Sequence, residues 1–162
     1  MPQFWKREEY DAITWVHTET GEGKKVFWKE NCPFCIVSEH EEFLVWEGTY
    51  WKIMYNKYPY SGDEKHLMAM PIKHKAFSYE LSPEELAELH DVHVWIKNFY
   101  WDENYFSCTR ETMANRSIEH LHIHFLPGRL QGMYLRKMLE NQGFPVKEDK
   151  LEMKVEIREG KV

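Results

Sequence analysis

Cysteine is scarce in this 162-residue chain: there are 3, with Cys32 and Cys35 close together and Cys108 alone. A disulfide framework needs pairs, so an odd count argues against a small stapled domain. No apolar run approaches the ~18 residues of a membrane-spanning helix. The opening stretch, Met1-Pro2-Gln3-Phe4-Trp5-Lys6-Arg7, has no apolar core of the secretory kind. There is no basic tail and no long block of one charge sign, and the formal net charge is -6. Affinity for a nucleic-acid backbone comes from neutralising many phosphates, so this balance speaks against a general nucleic-acid surface. A small anionic substrate stays open, because one site needs only a few local donors. No internal repeat or low-complexity tract divides the chain. These absences predict a soluble, cytoplasmic protein with neither a membrane nor a nucleic-acid polymer as partner.

What is present suffices for one substantial core: 43% of residues are apolar and 15% aromatic. Length predicts a single domain. We read it as residues 26–162, preceded by an N-terminal extension or hairpin over 1–25. Residues 43–46 and 50–55 read as two antiparallel strands around a turn at Glu47-Gly48-Thr49. Residues 66–71 read as a short buried strand closed by Pro71. The clearest helix starts at Ser82-Pro83-Glu84-Glu85, where Ser82 can cap, Pro83 suits the first position and Glu85 completes a capping box. Leu86, Leu89, Val92, His93, Ile96 and Tyr100 follow at helical spacing. Strands are expected over 105–110 and 118–125, a short helix over 134–141, and a late strand over 151–157. The sum is an α+β fold: a mostly antiparallel sheet of about five or more strands, one long helix packed on it and a short C-terminal helix.

The chemistry gathers in His120-Leu121-His122-Ile123-His124. In a strand, alternate side chains share a face, which would put all three imidazoles on one side. Histidines that titrate near neutrality and repel one another are a costly choice for packing alone. A solvated, His-rich face is the plain alternative. Two chemistries compete with it. Imidazole is a phosphorus nucleophile and a leaving group, and three histidines can also hold a catalytic zinc with an open position.

With its flanks, the run resembles the histidine-triad (HIT) family of nucleotide hydrolases and transferases. His120-Leu121-His122-Ile123-His124-Phe125-Leu126 matches the whole pattern, and Pro127-Gly128-Arg129 continues it. Asn56-Lys57-Tyr58-Pro59-Tyr60 with His66-Leu67-Met68-Ala69-Met70-Pro71-Ile72-Lys73-His74 is similar to the family's nucleoside-side strand. The likeness spans about residues 30 to 130. It implies a HIT-like fold, a nucleotide substrate and a nucleotidyl-histidine intermediate on His122. His124 would contact phosphate oxygens or the leaving group and supply a proton. His120 completes the catalytic triad, Asn56 matches a ribose-binding position, and Ser117 matches a position near the phosphate. Dinucleoside polyphosphates or nucleoside phosphoramidates are the implied substrates. A nucleotidyltransferase or phosphorylase, or a catalytically weak nucleotide-binding module, is the alternative. The third histidine, retained here, is Gln in the galactose-1-phosphate uridylyltransferase branch, which tilts the reading towards hydrolysis. Homodimerisation is also implied by the resemblance.

The chain departs from the pattern just before the triad, where a Gly-Gln pair reads Asn115-Arg116. A charged donor at Arg116 favours a more anionic substrate, and a surface arginine is its alternative. Cys32-Pro33-Phe34-Cys35 has the spacing of half a zinc site, and zinc wants four ligands. A redox dithiol is the alternative, but strands rather than a helix follow the pair. Zinc-bearing members of the family complete such a pair with histidines that match His74 and His120. The resemblance therefore implies a structural zinc on Cys32, Cys35, His74 and His120. His17, His40, His90 and His93 read as surface or helix-face residues, and His66 as structural. Tyr58, Tyr60 and Trp51 read first as core and second as base-stacking.

Overall fold

The computed structural model describes residues 2–18, 21–24, 26–36, 38, 40–60, 64–113, 116–128 and 133–141. In chain order its elements are α1 (Arg7–Thr14), β1 (Trp15–Thr18), β2 (Gly21–Lys24), β3 (Leu44–Glu47), β4 (Trp51–Tyr55), β5 (Leu67–Pro71), α2 (Pro83–Tyr100), β6 (Tyr105–Thr109), β7 (Ile123–Pro127) and α3 (Met133–Asn141). β1 and β2 form a hairpin of their own, while the other strands make one sheet in the order β3-β4-β5-β7-β6. Every pairing within that sheet is antiparallel. This is the α+β architecture expected. The late strand anticipated over 151–157 lies outside the described residues.

Side-chain alternation divides the sheet into two working faces. Trp51 and Ile53 of β4, Leu67 and Ala69 of β5, and Phe125 of β7 pack against Val92, Ile96 and Tyr100 of α2. Each such large apolar side chain contributes roughly 1.5–3 kcal/mol on burial. The intervening Met54, Met68 and Met70 face the other way, onto Cys32, Phe34, Phe43 and Ile118. Both sides of β5 are thus covered, and all five of its residues are buried. That is why it reads as an unbroken apolar run.

The start of α2 is built as its sequence suggests. Ser82 Oγ accepts the Glu85 N–H at 3.2 Å, and the Glu85 carboxylate accepts the Ser82 N–H at 2.7 Å. The apolar stripe differs from the expected one: Leu86 is 52% exposed and His93 is exposed. Their place near the helix start is taken by Glu85, which is buried as it folds back into the cap. One turn on, Glu88 accepts the backbone N–H groups of Thr49, Tyr50 and Trp51, each at 2.7 Å. This clamp ties α2 to the β3–β4 turn. It leaves no room at Gly48, where a Cβ would lie 2.7 Å from Glu88 Oε2.

The strand expected over 118–125 begins later, at Ile123. Pairing with β5 starts at Ala69↔Ile123. Before that, Ile118 makes a parallel bridge to Phe27, and the Leu121 N–H is taken by Lys75 O at 2.7 Å. Only His124 therefore stands in the sheet. His120 and His122 lie on the extended approach to it, so the three imidazoles do not form one regular row.

Candidate active site and metal centre

The approach segment carries His120 away from the sheet and towards the cysteine loop. Its Nδ1 lies 3.5 Å from both Cys32 Sγ and Cys35 Sγ. Its Nε2 is 2.7 Å from Pro71 O. A carbonyl only accepts, so the proton sits on Nε2 and the Nδ1 lone pair faces the sulfurs. His74 repeats the arrangement, with Nδ1 3.4 Å from Cys35 Sγ and Nε2 3.0 Å from Glu119 Oε2. The four donor atoms of Cys32, Cys35, His74 and His120 lie within 4.8 Å of one another, and this is the group among the described residues that could hold a metal.

Zinc–sulfur and zinc–nitrogen bonds of about 2.3 and 2.05 Å at the tetrahedral angle separate the two ligand atoms by about 3.6 Å. The observed S···N spacings fit that edge. Burial pushes the Cys32 thiol up to about 12 and the His120 imidazole down to about 3. Both groups are therefore neutral at ordinary pH, and a bound cation is what would hold a thiolate there. Beneath the cysteine loop, Lys52 Nζ donates to Phe34 O at 2.6 Å and to His40 Nε2 at 2.9 Å. His40 Nδ1 in turn reaches Pro33 O at 3.1 Å. His40 is thus a buried brace for the loop, with 5% exposure, and not a surface residue.

The remaining two histidines of the run border a cavity of ≈ 370 Å³, which Asn56 and Ser117 also line. That size suits a small ligand. His122 Nδ1 is 2.7 Å from His120 O. The same carbonyl argument puts its proton on Nδ1 and leaves the Nε2 lone pair unprotonated. Burial, aided by the Arg116 and Arg110 charges, holds His122 down to about 4. It is a neutral imidazole at physiological pH, the form that can attack.

His124 is fixed by a chain of bonds that starts at a backbone N–H. Tyr60 N donates to His66 Nδ1 at 3.2 Å, so neutral His66 carries its proton on Nε2. That nitrogen is 2.9 Å from His124 Nδ1, which must accept. His124 therefore presents Nε2–H, 3.2 Å from Tyr60 Oη. Burial lowers His66 to about 3 and His124 well below its ordinary value. A dry environment and fixed hydrogen bonds thus set both tautomers.

Asn56 is buried; its Oδ1 accepts Tyr58 N–H at 2.9 Å and its amide contacts the His66 ring at 3.3 Å. Ser117 Oγ meets Tyr10 Oη at 2.5 Å. Arg116 is not a surface residue: it is 2% exposed, with its guanidinium 5.4 Å from the Phe77 ring centre. Its Nη1 reaches Met113 Sδ at 3.6 Å, whereas Nε and Nη2 have no hydrogen-bond partner among the described residues. It is not among the residues that line the cavity, and Asn115 falls outside the described residues. Sequence reasoning missed four contributors: His66 and Tyr60, which orient His124, Glu119, which orients His74, and Lys52. Trp51 is core, with 0% exposure, while Tyr58 and Tyr60 do line the cavity.

No family model and no curated protein matches the chain. Solved structures do. A histidine triad nucleotide-binding protein from Candida albicans is 22% identical, with a TM-score of 0.52 over 60% of this chain and 75% of that one. A HIT family hydrolase from Clostridium thermocellum is 24% identical, with a TM-score of 0.51 over 65% of this chain and 96% of the other. A zinc-bound histidine triad family protein from Mycobacterium smegmatis is 18% identical, with a TM-score of 0.52 over 62% and 76%. At these identities the likeness shows the fold, which is that of the histidine-triad proteins.

Proposed function

We propose that this chain is a histidine-triad enzyme that hydrolyses nucleotide phosphoanhydrides or phosphoramidates through a nucleotidyl-His122 intermediate. The observation that carries this reading is the His122 ring: neutral, with its proton committed to His120 O, on the wall of a nucleotide-sized cavity. The Nε2 lone pair forms a bond to the α-phosphorus as the bond to the leaving group breaks. His124 Nε2–H would donate a hydrogen bond to the departing atom; a phosphate leaving group departs as its anion, and a leaving amine takes its proton from water. Water then attacks the same phosphorus, the P–N bond breaks, and the nucleoside monophosphate leaves with His122 restored. Asn56 would hold the ribose, and Ser117 would contact the phosphate. The buried Arg116 guanidinium adds positive potential behind the developing charge.

Cys32, Cys35, His74 and His120 would hold a structural zinc. When bound, the ion would tie the cysteine loop to the segment that orients His122. The support is the donor set, with two sulfurs and two Nδ1 lone pairs at ligand spacing. Homodimerisation, and residues 1–25 as an extension of one domain over 26–162, remain part of the proposal. His122→Ala should keep the fold and lose turnover by several orders of magnitude on a panel of dinucleoside polyphosphates and nucleoside phosphoramidates. Normal hydrolysis by that variant would remove the mechanism.

A further inference from the structure

The cavity that holds His122 and His124 runs across the sheet, and the chemistry at phosphorus uses only one end of it. A row of register partners crosses the sheet beneath it. His124 of β7 pairs with Met68 of β5, Met68 with Met54 of β4, and Met54 with Leu44, the first residue of β3. His124, Met68 and Met54 therefore share one face, and all three line the cavity. Phe43 lines it where the chain enters β3. From β7 to β3 is three strand spacings, about 14 Å. That matches the reach of one nucleotide from its α-phosphorus to the outer edge of its base, with a contact at each end. With the phosphorus at His122 and the ribose at Asn56, the residue after β4, the base falls towards β3.

The lining at that end is apolar: Met54, Phe43, Phe34 and Ile118 are buried and pack in one cluster. The Phe34 ring centre is 5.3 Å from that of His122, so this lining is continuous with the attacking group. Aromatic rings and thioether sulfurs suit a flat heterocycle, and stacking of this kind accepts every base. Choice among bases then falls to the polar groups at the rim. On the loop before β3 those are Ser38, His40 and Glu42. Both His40 nitrogens are already engaged, by Pro33 O and Lys52 Nζ. Glu42 is the one carboxylate among the described lining residues. It is exposed, and it has no hydrogen bond or ion pair with the rest of the chain.

An ionised carboxylate only accepts, and its two oxygens take a pair of parallel N–H groups. Guanine presents such a pair on one edge, N1–H beside the 2-amino group. Adenine presents a 6-amino N–H beside the N1 lone pair, which the second carboxylate oxygen repels. We propose that Glu42 selects the base: its carboxylate accepts N1–H and the 2-amino N–H of guanine, so the site takes guanine nucleotides in preference to adenine nucleotides. This rests on the nucleotide reading given above and names the substrate within it.

The test is isothermal titration with guanosine, inosine and adenosine monophosphates. The wild type should bind guanosine monophosphate about tenfold or more tightly than adenosine monophosphate, as expected for charged hydrogen bonds at an open rim. Inosine monophosphate, which lacks the 2-amino group, should fall between. Glu42→Gln keeps one acceptor and adds a donor, the pattern that adenine matches. It should weaken guanosine monophosphate about tenfold and bind adenosine monophosphate at least as well as the wild type, so that the preference is lost or reversed. Glu42→Ala should lose the guanine preference without a gain for adenine. Glu42 is exposed, so both variants should melt close to the wild type. A wild type that binds adenosine monophosphate as tightly as guanosine monophosphate, or a guanine preference that survives in both variants, would overturn the assignment of Glu42 while leaving the nucleotide reading intact. A wild type that binds none of the three at millimolar ligand would overturn both.

Discussion

Replacing Glu119 tests whether the Cys32–Cys35–His74–His120 group is a zinc site whose ligands are held from behind. Glu119 Oε2 is 3.0 Å from His74 Nε2 and 3.1 Å from Lys29 N. The carboxylate thus fixes the His74 tautomer with Nδ1 turned to Cys35 Sγ, and it raises the basicity of that nitrogen. Loss of such an outer partner typically weakens metal binding 10–100-fold, roughly 1.4–2.8 kcal/mol. The Glu119 side chain is 24% exposed, so water can take over part of its role, which favours the lower half of that range. Glu119→Gln, which keeps an acceptor and loses the charge, should weaken zinc about tenfold; Glu119→Ala should weaken it somewhat further. At a fixed, saturating level of free zinc, tenfold weaker binding lowers folding stability by about 1.4 kcal/mol. For a chain of this length the melting temperature falls by about 3–5 °C. Zinc affinity is read by competition against a chromophoric chelator, and the melts are repeated with excess chelator, where the gap between variant and wild type should narrow. A zinc affinity unchanged in Glu119→Ala, or a wild-type protein that takes up no zinc, would refute the reasoning.

Acid should destabilise the fold through its buried histidines. Burial lowers His66 from 6.5 to about 3 in the folded state. Unfolded chains therefore bind a proton that folded ones do not, and this stability is complete above about pH 6.5 and lost as pH falls towards 3, at about 1.4 kcal/mol per pH unit from this one residue. Urea unfolding at pH 7.5 and 5 measures the loss, and equal stability at both values would contradict it. His122, held down to about 4 by burial, should keep the first chemical step independent of pH from 8 to about 5 in single-turnover assays. A rate that falls with a midpoint near 6.5 would argue against that environment. Glu88→Ala removes three 2.7 Å bonds to the turn. The Thr49 donor is exposed and those of Tyr50 and Trp51 are partly buried, so water makes up part of the loss and the cost should be about 2 kcal/mol in total, with Glu88→Gln losing less. Melting temperatures within a degree of wild type for both variants would show the clamp to be unimportant.

Much of the site is legible in the sequence because it rests on local rules. The Ser82–Glu85 cap, the β3–β4 turn and the buried β5 run follow from spacing and residue type alone, and each appears within a residue or so of its expected place. The face of α2 was less legible: Leu86 has the right period, but the capping geometry draws Glu85 inward and leaves Leu86 outside. The histidine run shows the same limit. Period-two alternation suggests one face, yet pairing with β5 begins only at Ile123. His120 instead turns to the sulfurs of a loop 85–88 residues earlier in the chain. Long-range polar partners such as His66 for His124 and Glu119 for His74 leave no local pattern. Neither does the return of the N-terminal arm to Ser117, which depends on a single Tyr10 hydroxyl at a sequence separation of 107.

The proposed division of labour within the run is the centre of the account: His120 would hold the metal, His124 would hydrogen-bond to the leaving group, and His122 alone would make a bond to phosphorus. The most direct measurement is rapid quench of the wild-type protein with a nucleotide substrate, followed by intact-mass analysis and peptide mapping under conditions that preserve phosphoramidates. The account predicts an adduct of one nucleoside monophosphoryl group, located on His122 and absent from His122→Ala. Turnover with no adduct at any quench time, or an adduct on His120 or His124, would contradict it.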